Sequence, residues 1–162
     1  MSRDYSFLIE NLKSEMSSAG VQIFNPEGYP SLALTYSHIS IVPISDTKKL
    51  VSLAGQAGTD HNTSTTNPPS LGEQVRLALE NVDKCLAAAG ASKKDIVSAR
   101  QYIVDYASLS GEDVEALFST FLDWWKKTEG DRLCPPTTLI GLESLWSKET
   151  RYEIEVTAVA DL

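Results

Sequence analysis

Residues 70–90 read SLGEQVRLALENVDKCLAAAG, and residues 95–105, close behind, read DIVSARQYIVD. The first segment carries its own start and stop. Ser70 with Glu73 three residues on has the capping-box form, in which hydroxyl and carboxylate satisfy backbone N–H groups at a helix start. Gly90 supplies the left-handed residue that closes a helix. Between them Val75, Leu79, Val82 and Leu86 recur at steps of four and three, making one apolar stripe. The second segment has the β-branched content and turn-forming flanks of a strand.

Toward the C-terminus, Ser110 followed by Asp113 predicts a second helix whose buried stripe is Val114, Leu117, Phe118, Phe121 and Trp125. Phe121, Trp124 and Trp125 read as a core or interface cluster. Gly130 ends that region, Pro135 and Pro136 break any helix, and residues 137–142 look extended. Residues 151–160, RYEIEVTAVA, alternate polar and apolar as a sheet strand does. Helix, strand, helix, strand predicts an α+β fold with two helices packed on one face of a mixed sheet. Such a sheet leaves its other face to be covered, which predicts an oligomer.

Toward the N-terminus, residues 60–70 (DHNTSTTNPPS) are polar and without period, a surface loop. Residues 49–55 predict a short apolar strand and residues 32–44 a β-branched one, joined by a turn at 46–48 into a hairpin. Residues 21–30, with Pro26, Gly28 and Pro30, read as loop. Phe7, Leu8, Leu12 and Met16 predict a short amphipathic helix over residues 4–18, an N-terminal extension of about residues 1–20.

Size and charge exclude whole classes of function. The chain has 162 residues, one domain's worth, and 14 Lys plus Arg against 22 Asp plus Glu give a net charge of −8. That balance offers no basic footprint for nucleic acid. The first 16 residues include Asp4, Glu10, Lys13 and Glu15, so they form neither a signal peptide nor a membrane span, and a cytoplasmic address is expected. Cys85 and Cys134 stand outside any CxxC or Cys/His cluster, so both read as reduced thiols, and no metal site is expected.

Few residues remain for chemistry. Glu153 and Glu155 lie two apart on a strand and share a face. They are either a solvated acidic face or, for Glu153 beside a loop, a general acid/base whose pKa desolvation would raise. Tyr36 and His38 share a face of the predicted strand and could line a polar pocket, but His38 and His61 have no ligand-spaced partner and read as ordinary surface or hydrogen-bonded residues. LAGQAG at residues 53–58 lacks the Lys-Ser/Thr of a phosphate loop; its glycines fit a tight strand end whose backbone N–H groups could hold a carboxylate.

The series Tyr36-Ser37-His38, Ala54-Gly55-Gln56, Glu73-Gln74 with Leu79-Glu80-Asn81, Ala88-Ala89-Gly90, Ile96-Val97, Tyr102-Ile103-Val104-Asp105 and Tyr152-Glu153-Ile154-Glu155 resembles the YjgF/RidA superfamily of reactive-imine deaminases, over residues 34–160. The resemblance implies a chorismate-mutase-like fold, a homotrimer, and cofactor-free sites between subunits. There an Arg grips the substrate carboxylate and a Glu positions or activates water. Glu153 matches that acid, Tyr36 the pocket tyrosine and Gly55 the glycine lining the site. Where the family has Pro-x-Arg-Ser, this chain reads Pro135-Pro136-Thr137-Thr138, so Thr137 replaces the Arg clamp; Glu115 stands at a family Asn. The substrate implied is a small molecule, neutral or cationic, with Thr137 and Tyr36 as hydrogen-bonding partners and Arg132 and Arg151 as the nearby cations. The expected function is hydrolysis of an imine, enamine or related C–N bond. The alternatives are a tautomerase or cyclase using the same Glu, or a regulatory trimer that only binds its ligand.

Overall fold

The computed structural model describes residues 20–29, 35–61, 63, 65–129 and 133–162. The helix expected over residues 4–18 and the positions of Gly130 and Arg132 lie outside them. In chain order the strands are β1 (Gln22–Phe24), β2 (Ile39–Pro43), β3 (Lys48–Leu53), β4 (Gln56–Ala57), β5 (Thr59–Asp60) and β6 (Thr65–Thr66). Helix α1 (Leu71–Ala88), strand β7 (Ile96–Val104), helix α2 (Gly111–Glu129), β8 (Thr137–Leu142) and β9 (Tyr152–Asp161) follow.

Local chemistry sets the helix ends, with one correction: the Glu73 carboxylate pairs with Arg76 instead of completing the capping box, so Ser70 alone caps the start. The Ser70 hydroxyl accepts from the Glu73 N–H, and Gly90 takes φ +62° while Ala91 N–H donates to Leu86 O at 2.8 Å and Gly90 N–H to Ala87 O at 3.0 Å, the two bonds of a Schellman closure. Ser110 caps α2 by accepting from Asp113 N–H at 3.1 Å. One mixed sheet runs β1-β2-β3-β9-β7-β8, antiparallel except for β7 beside β8, the pair that α2 connects.

Strand β9 is central, and its alternation decides what lies where. Tyr152, Ile154, Val156, Ala158 and Ala160 are buried on the helix face with Val75, Leu79, Val82 and Leu86 of α1. Glu153, Glu155, Thr157 and Val159 point the other way and are half-buried. Around them Val42, Leu50, Val104, Ile140 and Leu142 form a half-exposed apolar surface with no helix over it among the described residues.

Three expectations are corrected. Residues 22–24 form an edge strand rather than loop, because three extended residues pair with Ile39–Ile41. The polar stretch from residue 60 contains a two-residue ladder, Thr59–Asp60 against Thr65–Thr66. Phe118 is 41% exposed, because α2 meets α1 along the narrow stripe Leu117, Phe121 and Trp125, too narrow to reach Phe118.

Gln74, on the first turns of α1, ties the loops together. Its amide donates to Pro68 O at 2.8 Å and Glu149 O at 2.9 Å and accepts from Arg151 N–H at 2.9 Å. Gly58 packs against it so closely that a Cβ there would sit 2.7 Å from Gln74 Cα. Gly58→Ala must push backbone against backbone, and is expected to cost about 1–3 kcal/mol of stability. Gly111→Ala, with nothing within 4 Å of its added Cβ, should leave the midpoint of thermal unfolding nearly unchanged when the two variants are melted side by side.

Candidate active-site cleft

Strand β3 gives way to β4 through a bulge. Ser52 opposes Thr157 and Gln56 opposes Ile154, so four steps on one strand match three on β9. A bulge bends its strand and re-aims side chains. Here it brings Gly55 beneath Glu153: a Cβ built on Gly55 would lie 1.9 Å from Glu153 Oε1 and 2.4 Å from its carboxyl carbon. The space that the missing side chain leaves is filled by the Glu153 carboxyl.

Glu153 opens on a cleft of about 440 Å3 whose other walls include Tyr36, His38, Gly55, Gln56, His61, Asn81 and Trp146. Burial raises the Glu153 pKa above its ordinary 4.5, and the neighbouring Glu155 charge raises it further. Glu155 itself accepts from Tyr102 OH at 2.8 Å and lies 3.6 Å from Arg100. The Tyr36 phenol is likewise held protonated, first by burial and then by Glu153. The rim is aromatic and open, with Tyr36 43% and Trp146 67% exposed.

The floor is buried and almost fully hydrogen-bonded. Asn81 accepts from Tyr29 OH at 2.9 Å and donates to Thr59 O at 2.7 Å and Ala57 O at 3.2 Å. Gln56 donates to Ala54 O at 2.8 Å, which fixes the orientation of its amide, and its oxygen faces the Cys85 thiol at 3.6 Å. The same amide nitrogen lies 3.3 Å from His38 Nδ1. That nitrogen must therefore accept, which places the neutral ring's proton on Nε2. Burial lowers the His38 pKa and so keeps the ring neutral. His38 is 5% exposed, and its Nε2 is buried without a hydrogen-bond partner among the described residues. An unmade buried hydrogen bond costs about 1–3 kcal/mol.

Around His38 the rings crowd. Tyr29 stands edge-on at 4.9 Å, Tyr36 at 5.1 Å, and His61 stacks on Tyr29 at 3.7 Å between centroids. Burial, then the nearby His38 and Lys84, lower the His61 pKa. Cys85 beneath them is no nucleophile: burial pushes its thiol up to about 12.

The residues singled out from sequence separate into two groups. Tyr36, Gly55 and Glu153 come together in this cleft. Thr137 and Glu115 do not line it. Thr137 is exposed at the start of β8, opposite Ala99, with its hydroxyl donating to Pro135 O at 2.8 Å. Glu115 is exposed on α2. Arg151 pairs with Asp113 at 2.7 Å and lines a second cleft with Lys148 and Ser108. Tyr36 and His38 precede β2 instead of lying on it, since pairing begins at Ile39. Gln56, Asn81 and Trp146 were not singled out from sequence. GQ beside the glycine and LEN within the helix were visible as tokens, but nothing local to Trp146 marks it.

The described lining holds no Lys or Arg, and no group of His, Cys, Asp and Glu suited to a metal ion occurs among the described residues. No described helix is long and apolar enough to cross a membrane.

A family model described as Endoribonuclease L-PSP matches residues 29–160. Among solved structures, the chain is similar to Escherichia coli TdcF with bound serine (TM-score 0.69, 24% identity), covering 85% of this chain and 98% of that one. It is also similar to the E. coli YjgF gene product (TM-score 0.67, 23% identity) over the same shares of the two chains. RidA from an Antarctic Psychrobacter gives a TM-score of 0.64 at 23% identity, again over 85% and 98%. At these identities the likeness is one of fold, and that fold is the chorismate-mutase-like arrangement expected from the sequence. No curated protein matches the sequence.

Proposed function

Since the chain belongs to the endoribonuclease L-PSP family, we propose that it is a cofactor-free small-molecule enzyme that hydrolyses an imine, enamine or related labile C–N bond with Glu153 as acid/base. The observation that carries this reading is the Glu153 carboxyl, seated over Gly55 at the wall of a closed-floored cleft and shifted toward protonation by burial. A carboxyl of that kind donates a proton to an imine nitrogen and makes the adjacent carbon electrophilic. As carboxylate it then takes a proton from the attacking water. The resulting carbinolamine expels ammonia and leaves a carbonyl, so imine and water are converted to carbonyl and ammonia with no redox partner.

TdcF, of similar fold, is known with serine bound, which supports a ligand of amino-acid size. Thr137, where the resemblance expects an Arg, argues for a substrate without the usual carboxylate. A net charge of −8 and a described lining without Lys or Arg favour a small molecule over RNA, despite the family's descriptive name. Ammonia release from a panel of neutral, cationic and carboxylate-bearing imines tests the reading. Release from at least one supports it; proton exchange without ammonia moves the chemistry to tautomerisation, and binding without turnover reduces the protein to a ligand-binding one.

The sheet face that no described helix covers, with Leu50, Val104, Ile140, Leu142 and Val159 on it, supports a homotrimer in which these faces bury one another. In that assembly Thr137 and Glu115 would reach a cleft only from a neighbouring subunit. Light scattering at micromolar concentration is expected to give three times the mass of one chain, and a monomer would end the trimer proposal. We read residues 1–162 as one domain and the cytoplasm as its address.

A further inference from the structure

The cleft floor offers an incoming molecule very little. Both polar ends of Gln56 and of Asn81 are already engaged by the protein, and Cys85 faces Gln56. Among the described residues, His38 Nε2–H is a buried donor on this floor without an acceptor. A buried polar group is normally paired, and one that the fold leaves unpaired at a cleft marks where something else accepts. At the rim, the two exposed rings of Tyr36 and Trp146 offer flat faces. Among the described residues no Lys or Arg lines the cleft, and Lys84 acts on His61 from outside that lining, whereas Glu153 is part of the wall itself.

These three features point to one ligand chemistry. We propose that the cleft selects uncharged, planar molecules bearing a carbonyl or imine acceptor, which rest on the Tyr36 and Trp146 rings and accept a hydrogen bond from His38 Nε2–H. The inference rests on the reading of this cleft as the substrate site and narrows its substrate to conjugated or cyclic imines and amides. Tyr36, 43% exposed with its ring centroid 5.1 Å from that of His38, has room to pivot, which would open the way to Nε2–H and leave its flat face against the ligand. His38 thereby sets specificity, and the tautomer imposed by Gln56 makes it a donor only.

Benzamide and benzoate are a matched pair of probes, equal in shape and different in charge. Titrated into the full chain at pH 7 and followed by NMR or calorimetry, benzamide is expected to bind at least tenfold more tightly than benzoate. His38→Phe, which keeps a flat ring and removes the donor, should weaken benzamide about tenfold while the midpoint of thermal unfolding stays level or rises. His38→Gln, which retains an N–H donor, should recover part of the affinity and guards against a folding defect in the first variant. Tighter binding of benzoate, binding of neither probe, or an affinity unmoved by His38→Phe overturns the proposal. Failure of the parent reading is separable: if benzamide binds as expected but no imine releases ammonia, the subsite stands and the hydrolase falls. If imines turn over while benzamide is ignored, the reverse holds.

Discussion

Glu153→Gln is expected to lower kcat for ammonia release about 10²-fold or more, with a much smaller change in KM. Gln keeps the size and hydrogen-bonding ends of Glu but neither gives up nor takes a proton at the relevant pH, so it removes the acid/base step and little else. The stability of the same variant should move in the opposite direction. In the folded protein Glu153 has its pKa raised above the ordinary 4.5, chiefly by burial and next by Glu155. The native state therefore holds its proton to higher pH than the unfolded chain does. Its contribution to stability is full below the ordinary carboxylate range and is lost as pH rises through the raised value. At neutral pH the wild type carries a partly buried carboxylate, and the neutral amide does not. Thermal melts from pH 4 to 8 should show the wild type losing ground to Glu153→Gln as pH rises. A variant with wild-type turnover would remove Glu153 from the chemistry, and a melting difference independent of pH would remove the burial argument.

What could be read from sequence follows the range of the interactions involved. The caps at Ser70 and Gly90 and the alternation of β9 depend on neighbours within a few residues, so the helix α1 and the face carrying Glu153 were legible. Strand β1 was not, because three residues between Gly20 and Pro26 have no period of their own and are extended only through pairing with β2. The failure at Phe118 has the same origin: periodicity marks an apolar stripe but not its width, and width is set by the partner helix. The cleft shows the contrast within one site. Glu153, Gly55 and Tyr36 were assigned through the family resemblance of the tokens around them, and Gln56 stood in one of those tokens without a role, whereas Asn81 and Trp146 join them across separations that only the folded chain closes. His38 read as a surface or hydrogen-bonded residue; its Nδ1 is indeed held by Gln56, yet the unpaired Nε2 depends on everything packed around it.

Gly55→Ala is expected to reproduce much of the loss in kcat without touching the acid itself. Gly55 does not take a positive φ, so its backbone tolerates Ala. What the methyl group meets is Glu153: Oε1 at 1.9 Å, the carboxyl carbon at 2.4 Å and Cγ at 2.8 Å. No heavy atoms approach so closely, and the end of a flexible side chain yields before a sheet does. The carboxyl must swing out of its seat by an ångström or more. A misplacement of that size costs about 10²-fold in a positioned proton transfer. Stability should hold or gain roughly 0.4–1 kcal/mol, because Ala narrows the unfolded ensemble relative to Gly. The double variant with Glu153→Gln separates this account from a general disturbance of the cleft. If Gly55 acts through the carboxyl, the second substitution adds little once the first is made, and the two losses are far from additive. Losses that multiply would mean that Gly55 serves the substrate directly, and an unchanged kcat would mean that the seat over Gly55 does not matter to the reaction.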